Sequence, residues 1–367
     1  MKHGISYFFL VIVTIVSACG MLSCSESSSA EFRWKMATSY TEDNLFYSKC
    51  AVAICDRIAQ LSNGRLMIEP YQAGQLVDAF DVFDAVSSGQ VEVGYTWSGY
   101  WSEKDPSFEL FSSIPNNMVQ SEWLIWLYGP SKGIDLWREL YTKYNLVPFP
   151  GGLTGPEFGI FTNKPLRNLG DFKGMRIRMP GMGADVLKEL GGIPVEIPQG
   201  QIKDALEKGE IDGFEYSTPA IDWMLGFDSD ITPFVTLPAW HQPSAIGETI
   251  VNEDAWNRLP GNLKAIFEAV CKEVSMVDFL SYMEGINAVY MQKYEEGRIQ
   301  ILELDTEAMK RITQITEQLA DSHAAQNSFY AKVLQSQRDF KASYRIWEKW
   351  GDYKVYQSAA ALEVVAE

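Results

Sequence analysis

Histidine is almost missing from this chain, with three in 367 residues. His3 lies in the N-terminal apolar segment, His323 in an expected surface helix and His241 in a loop. There is no HExxH, no Walker loop and no GxGxxG after a strand, so the common signatures of metalloprotease and nucleotide sites are excluded. The nearest glycine cluster, Pro180-Gly181-Met182-Gly183, lacks a third glycine and an acidic partner. It offers at most backbone N–H groups to an anion ahead of a helix. Cysteine is also sparse, five residues with no CxxC pair, which excludes a zinc site or a disulfide framework. Cys50 and Cys55 fall in one expected helix, about 140° apart around its axis, and should not pair. With Cys271 they read as small core residues. Positive charge is short too: 31 Lys and Arg against 48 Asp and Glu leave a net charge of -17. That balance argues against nucleic acid and against anionic membrane surfaces.

What is present begins with an export signal. Lys2, an apolar run from Ile5 to Val16 and then small residues read as a secretory signal over residues 1–18. The run is too short to span a bilayer comfortably as a permanent helix. Val16-Ser17-Ala18-Cys19 has the form of a lipobox, so Cys19 is expected to carry lipid, with Cys24 as the poorer alternative and ordinary cleavage as another. Residues 19–31, ending in SESSSAE, then form a flexible tether. In each case the mature chain lies outside the cytoplasm. Some 340 mature residues, in a chain 46% hydrophobic, exceed one core and suit two domains.

Apolar spacing then alternates between the periods of strand and helix. RWKMA (33–37) predicts a strand, residues 44–61 a helix, RLMIEPY a strand, 81–88 a helix and VEVGYTW a buried strand. LVPFPGG, EFGIFTN and GMRIRMP predict further strands, GADVLKELGG a helix, VEIP a strand, and QIKDALEKGEI a helix leading into DGFEY. From Pro260 the period is helical almost to Tyr353, interrupted at Gly285 and Gly297. Such β-α-β alternation indicates α/β lobes with mixed sheets.

One stretch stands out in so acidic a chain. In GMRIRMPGMG, Arg176 and Arg178 share one face of a short strand, with Met175, Ile177 and Met179 on the other. Either the pair forms a solvated basic edge, or one guanidinium is aimed at an anion.

The order of segments around it carries a resemblance. DFKGMRIRMPG, VLKELGGIPVEIP and DALEKGEIDGFEY with Pro219 follow AGQLVDAFDVFDAVSSGQVEVG and TGPEFG, and precede WHQPS and VNEDAWNRLP. Over residues 33–345 the chain resembles the DctP-like solute-binding proteins of tripartite ATP-independent periplasmic (TRAP) transporters. GPE at 155–157 with HQ at 241–242 resembles the branch described as mannitol/chloroaromatic, which overlaps with 2-oxo acid binders. The resemblance implies a two-lobed binding-protein fold: residues 32–155 mainly lobe I, 156–250 mainly lobe II, a helical region at 251–355 bracing both, and a tail at 356–367. It implies no enzyme activity, a small carboxylate as ligand, and membrane permease subunits as partners.

It also separates the two arginines. The family's carboxylate-binding arginine matches Arg178, whose planar fork holds a carboxylate as lysine cannot, and Arg176 becomes a structural or surface residue. In relatives that bind 2-oxo or 2-hydroxy acids an ion bridges ligand and protein. Its ligands match Glu157, Glu215, the Tyr216 backbone carbonyl and Gln242. This chain has Glu157 where those relatives carry glutamine and Gln242 where they carry glutamate. The exchange preserves the oxygen count, and hard oxygens suit calcium or sodium rather than zinc. The alternative is that Glu157 and Glu215 are interlobe salt-bridge partners. Tyr40, Trp97, Tyr100, Trp101 and Tyr216 sit at strand ends or in loops, as cleft or core residues, with Trp97 and Tyr216 the better cleft residues. Two other classes stay open: an exported enzyme on organic acids with His241, also a ligand-contact residue here, as general base, and a sensor module for a receptor kinase.

Overall fold

The computed structural model describes residues 30–351. The signal segment, Cys19, Cys24 and the tail at 356–367 lie outside the described residues. Two sheets carry the architecture. The first comprises β1 (Phe32–Thr38), β2 (Leu66–Tyr71), β3 (Val93–Thr96), β4 (Leu146–Leu153) and β10 (Ile246–Asn252), ordered β2-β1-β3-β10-β4. The second comprises β5 (Ile160–Thr162), β6 (Arg176–Arg178), β7 (Ile193–Val195), β8 (Gly213–Glu215), β9 (Phe234–Leu237) and β11 (Gln300–Glu303), ordered β11-β9-β5-β8-β6-β7. Both are mixed: β10 runs antiparallel to β3 and β4, and β5 antiparallel to β8 and β9.

The chain therefore crosses between sheets twice before its helical end, once from β4 to β5 and once from β9 back to β10. The crossings are tied together: the Thr154 N–H donates to the Ala245 carbonyl at 3.0 Å, and the Ala245 N–H donates to the Thr154 hydroxyl at 3.0 Å. Side chains near these crossings face both lobes.

Aromatic side chains pack against both sheets, in hydrophobic clusters that each include residues of both lobes. Around the first sheet, Phe83 packs against Trp101, Phe108, Tyr141 and Tyr144. The carboxylate of Glu248, on β10, is buried inside this cluster and accepts from Trp101 Nε1 at 2.9 Å and from the Tyr141 hydroxyl. Burial pushes its carboxyl up to about 7. Trp101, read from sequence as a residue of cleft or core, is thereby a core residue. In the second lobe Phe161 and Phe214 stack with centroids 5.0 Å apart on paired strands, a contact worth about 0.5–1.5 kcal/mol beyond its area. Cys50, Cys55 and Cys271 are all buried and free.

The helical C-terminal region departs from the sequence expectation at two places. Gly285 sits inside an unbroken helix over Leu280–Glu296, and past Gly297 the chain forms β11, parallel to β9. Ile299, Ile301 and Leu302 satisfy either period, and the open edge of β9 decides for the strand. Two long helices follow, Thr306–Gln326 and Ser328–Trp350. Among the described residues no helix is long and apolar enough to cross a membrane.

Candidate functional site

The cleft is assembled from four short segments. β6 and β8 are parallel neighbours with Arg178 opposite Phe214, which brings Arg178 beside Glu215 and Tyr216 at the carboxyl end of β8. The first crossing delivers Glu157, held by the Phe158 N–H donating to the Ser217 carbonyl at 2.8 Å. The second crossing delivers His241 and Gln242 on a turn closed by the Gln242 N–H to the Ala239 carbonyl, 3.3 Å. Tyr40, Phe46, Trp97, Tyr100, Glu157, Arg178, Pro180, Glu215, Tyr216, Ser217, Gln242 and Ala245 together wall one small cavity.

The two arginines part company in burial. Arg176 points outward, its Nε and Nη2 donating to Asp212 at 2.9 and 2.8 Å and its Nη1 to the Gly209 carbonyl at 2.6 Å. This fork holds the Asp212 carboxyl down to about 2. Arg178 is 2% exposed. Its Nη1 donates to the Glu215 carboxylate at 2.8 Å and to the Glu215 carbonyl at 2.9 Å, and its Nε to the Ile197 carbonyl at 3.2 Å. Tyr100 walls the same cavity as the guanidinium, which lies 5.6 Å from the Tyr216 ring centroid.

Glu157 and Glu215 are both buried, and burial raises both carboxyl groups above their ordinary range. The Glu215 charge pushes Glu157 further up, whereas Arg178 counteracts the rise at each. One Glu215 oxygen, Oε2, has no hydrogen-bond partner. The Gln242 amide reaches both Glu157 carboxylate oxygens, at 3.1 and 3.2 Å. With its NH₂ turned there it donates to both. With its oxygen turned there, three oxygens converge and only a cation or a proton satisfies them.

His241 was expected to contact the ligand, but it does not wall the cavity. Its ring lies behind the carboxylates, Nε2 at 3.4 Å from Glu157 and 3.3 Å from Glu215, packed edge-on against Trp240. Neither ring nitrogen has a hydrogen-bond partner. Burial first, and the Arg178 charge second, hold the imidazole down to about 3, so it is neutral. Donor atoms of Glu157, Glu215 and His241 lie within 4.8 Å of one another. Two buried carboxylates facing one guanidinium leave a surplus negative charge, which a cation offsets. The residues fit an ion held by hard oxygens.

Trp97 is locked in place by glycine. Its ring lies across Gly99, where a β-carbon would come within 2.0 Å of it, and Gly181 approaches from the other lobe with φ +62. Its Nε1 is buried without a partner. Tyr40 stacks on Phe46 at 4.9 Å. Sequence reasoning missed Phe46, Pro180, Ser217 and Ala245 as cavity walls, and Asp222, wholly buried behind them with one oxygen unpartnered. Pro180 and Ser217 were within reach of it, since each directly adjoins a residue or turn already singled out.

Comparison with known proteins finds relatives over most of the chain. The chain is 29% identical over 336 residues to the monocarboxylate 2-oxoacid-binding periplasmic protein of Nostoc sp., covering 90% of this chain and 91% of that one. The crystal structure of a TRAP transporter solute-binding protein from Bordetella bronchiseptica, with copurified calcium and picolinate, superposes with a TM-score of 0.87 at 29% identity, over 92% of this chain and 100% of that chain. A TRAP periplasmic solute-binding protein from Pseudoalteromonas atlantica with bound sodium and pyruvate gives 0.85 at 29% identity, over 89% and 99%. The family model for bacterial extracellular solute-binding protein, family 7 (DctP), matches residues 36–327, and the chain belongs to that family.

Proposed function

We propose that this protein is the extracytoplasmic receptor of a TRAP transporter, closing its two lobes on a small monocarboxylate of the 2-oxo or 2-hydroxy acid class and passing it to the membrane permease. The observation that carries the reading is Arg178: a guanidinium 2% exposed, facing a small cavity walled by Glu157, Glu215 and Gln242. In an acidic protein such a buried cation at the junction of two lobes is built for an anion. Arg178 holds the ligand carboxylate. Glu157, Glu215, Gln242 and the Tyr216 carbonyl hold a calcium or sodium ion that bridges to the ligand, as the bound ions of the relatives from Bordetella and Pseudoalteromonas support. Tyr40, Trp97, Tyr100 and Tyr216 close the remaining wall and limit ligand size.

Catalysis is not favoured. His241, the one histidine near the site, is neutral, buried and held down to about 3, far from the range in which a general base works at neutral pH. Cys19, outside the described residues, is the proposed lipid anchor, and a sensor role is set aside in favour of transport on the family membership. Native mass spectrometry of gently purified protein tests the assignment by weighing any retained ligand and ion. Calorimetry with pyruvate, in calcium and then in sodium, tests it directly. Stoichiometric binding without turnover is the expected result, and conversion of the acid would overturn it.

A further inference from the structure

Asn44 is fully buried at the start of the helical segment after β1, in the first lobe. Its orientation is determined: Oδ1 accepts the Phe46 N–H at 2.9 Å, which turns Nδ2 outward. That Nδ2 crosses to the second lobe and donates to the Tyr216 hydroxyl oxygen at 2.6 Å. The hydroxyl has no other hydrogen-bond partner among the described residues. A phenol whose oxygen already accepts one bond keeps its own proton for donation. Tyr216 walls the ligand cavity beside Arg178.

We propose that Asn44 is a positioning residue that sets Tyr216 as an obligate hydrogen-bond donor into the cleft, and so selects ligands that present a second acceptor oxygen beside the carboxylate. The inference rests on the carboxylate-binding reading above and narrows it. With Arg178 engaging the carboxylate, the Tyr216 proton meets the neighbouring substituent. A 2-oxo group accepts it, and a 2-ammonium group, which has only donors, does not. Thr41 makes a comparable crossing, its hydroxyl donating to Gln199 Oε1 at 2.8 Å, but without touching Tyr216.

The experiment pairs calorimetry with carbon NMR of protein carrying tyrosine labelled at Cζ, the Tyr216 resonance being assigned by its loss in Tyr216→Phe. Asn44→Asp places an acceptor where the donor was and captures the Tyr216 proton. We expect it to shift the Tyr216 resonance in ligand-free protein and to weaken pyruvate binding about tenfold, the worth of one hydrogen bond at the upper end of its usual range. Tyr216→Phe should cost a similar factor, and the double variant no more than either single change. Asn44→Ala, which leaves the hydroxyl free, should cost less than Asn44→Asp and provides a second variant should the aspartate impair folding. Thr41→Val should leave the Tyr216 resonance in place. An unmoved resonance in Asn44→Asp, or single losses that multiply in the double variant, overturns the proposal. If wild-type protein binds neither pyruvate nor lactate while the resonance shifts as described, the carboxylate reading fails and the positioning of Tyr216 stands.

Discussion

Replacing Arg178 by lysine keeps the charge and removes the fork. In the structure the guanidinium makes three hydrogen bonds to protein, two of them from Nη1 to Glu215 at 2.8 and 2.9 Å and one from Nε to the Ile197 carbonyl at 3.2 Å. An ammonium at the end of a flexible stem can hold Glu215 or the ligand carboxylate, but not both in one plane. The variant therefore loses one charge-assisted hydrogen bond to the ligand, worth about 1.5–3 kcal/mol in affinity, whereas the stranded Ile197 carbonyl costs stability in the free and bound protein alike. A ligand carboxylate desolvated without its second bond retains its desolvation cost. The combined expectation is about 2–4 kcal/mol, or roughly 30- to 1,000-fold in affinity. Arg176→Lys is the internal control, because its pair with Asp212 is 39% and 22% exposed and pairs of that kind contribute little. Isothermal calorimetry against pyruvate, with a thermal melt of each variant, reads both. Equal losses for the two substitutions would refute the argument, since they differ by burial and not by charge.

If Glu157, Glu215, Gln242 and the Tyr216 carbonyl hold one ion, ligand and ion raise each other's affinity by the same factor. Chelation then weakens carboxylate binding in calorimetry and calcium restores it better than magnesium, whereas Glu215→Gln removes most of that coupling. Glu157→Gln combined with Gln242→Glu should bind better than either single variant, because together they keep two carboxylates and one amide in the cleft, and worse binding by the pair would argue against a shared ion. Membrane fractionation should find Cys19→Ser released and Cys24→Ser retained, with acyl groups on Cys24 the contrary result. The Asp212 carboxyl, held to about 2 by Arg176 against an ordinary 3.8, binds its proton less readily folded than unfolded. It contributes stability above about pH 4 that is lost as pH falls toward 2, so Asp212→Asn should flatten the acid limb of the melting temperature between those values, and an unchanged limb would count against the pair.

Much of this protein is local. Strands β1, β2, β3 and β4, the helix after the Pro180 turn and the burial of three free cysteines follow from spacing within single segments, because period and turn chemistry act over a few residues. The separation of Arg176 from Arg178 required the family pattern, since both share a strand face and either could have been the solvated one. What no segment contains is the meeting of segments. Glu157 and Gln242 sit on two different crossings between the sheets and approach to 3.1 Å only because those crossings are hydrogen-bonded to each other at Thr154 and Ala245. His241, a loop residue in the sequence, was pushed behind the carboxylates by the turn that carries Gln242 into the cavity. The strand at Gln300–Glu303 exists because β9 offered an edge, and the Asn44 amide found Tyr216 across 172 positions of sequence. Periodicity speaks for one element at a time, whereas burial, charge and donor direction in a cleft between lobes depend on which distant residues the fold places opposite each other.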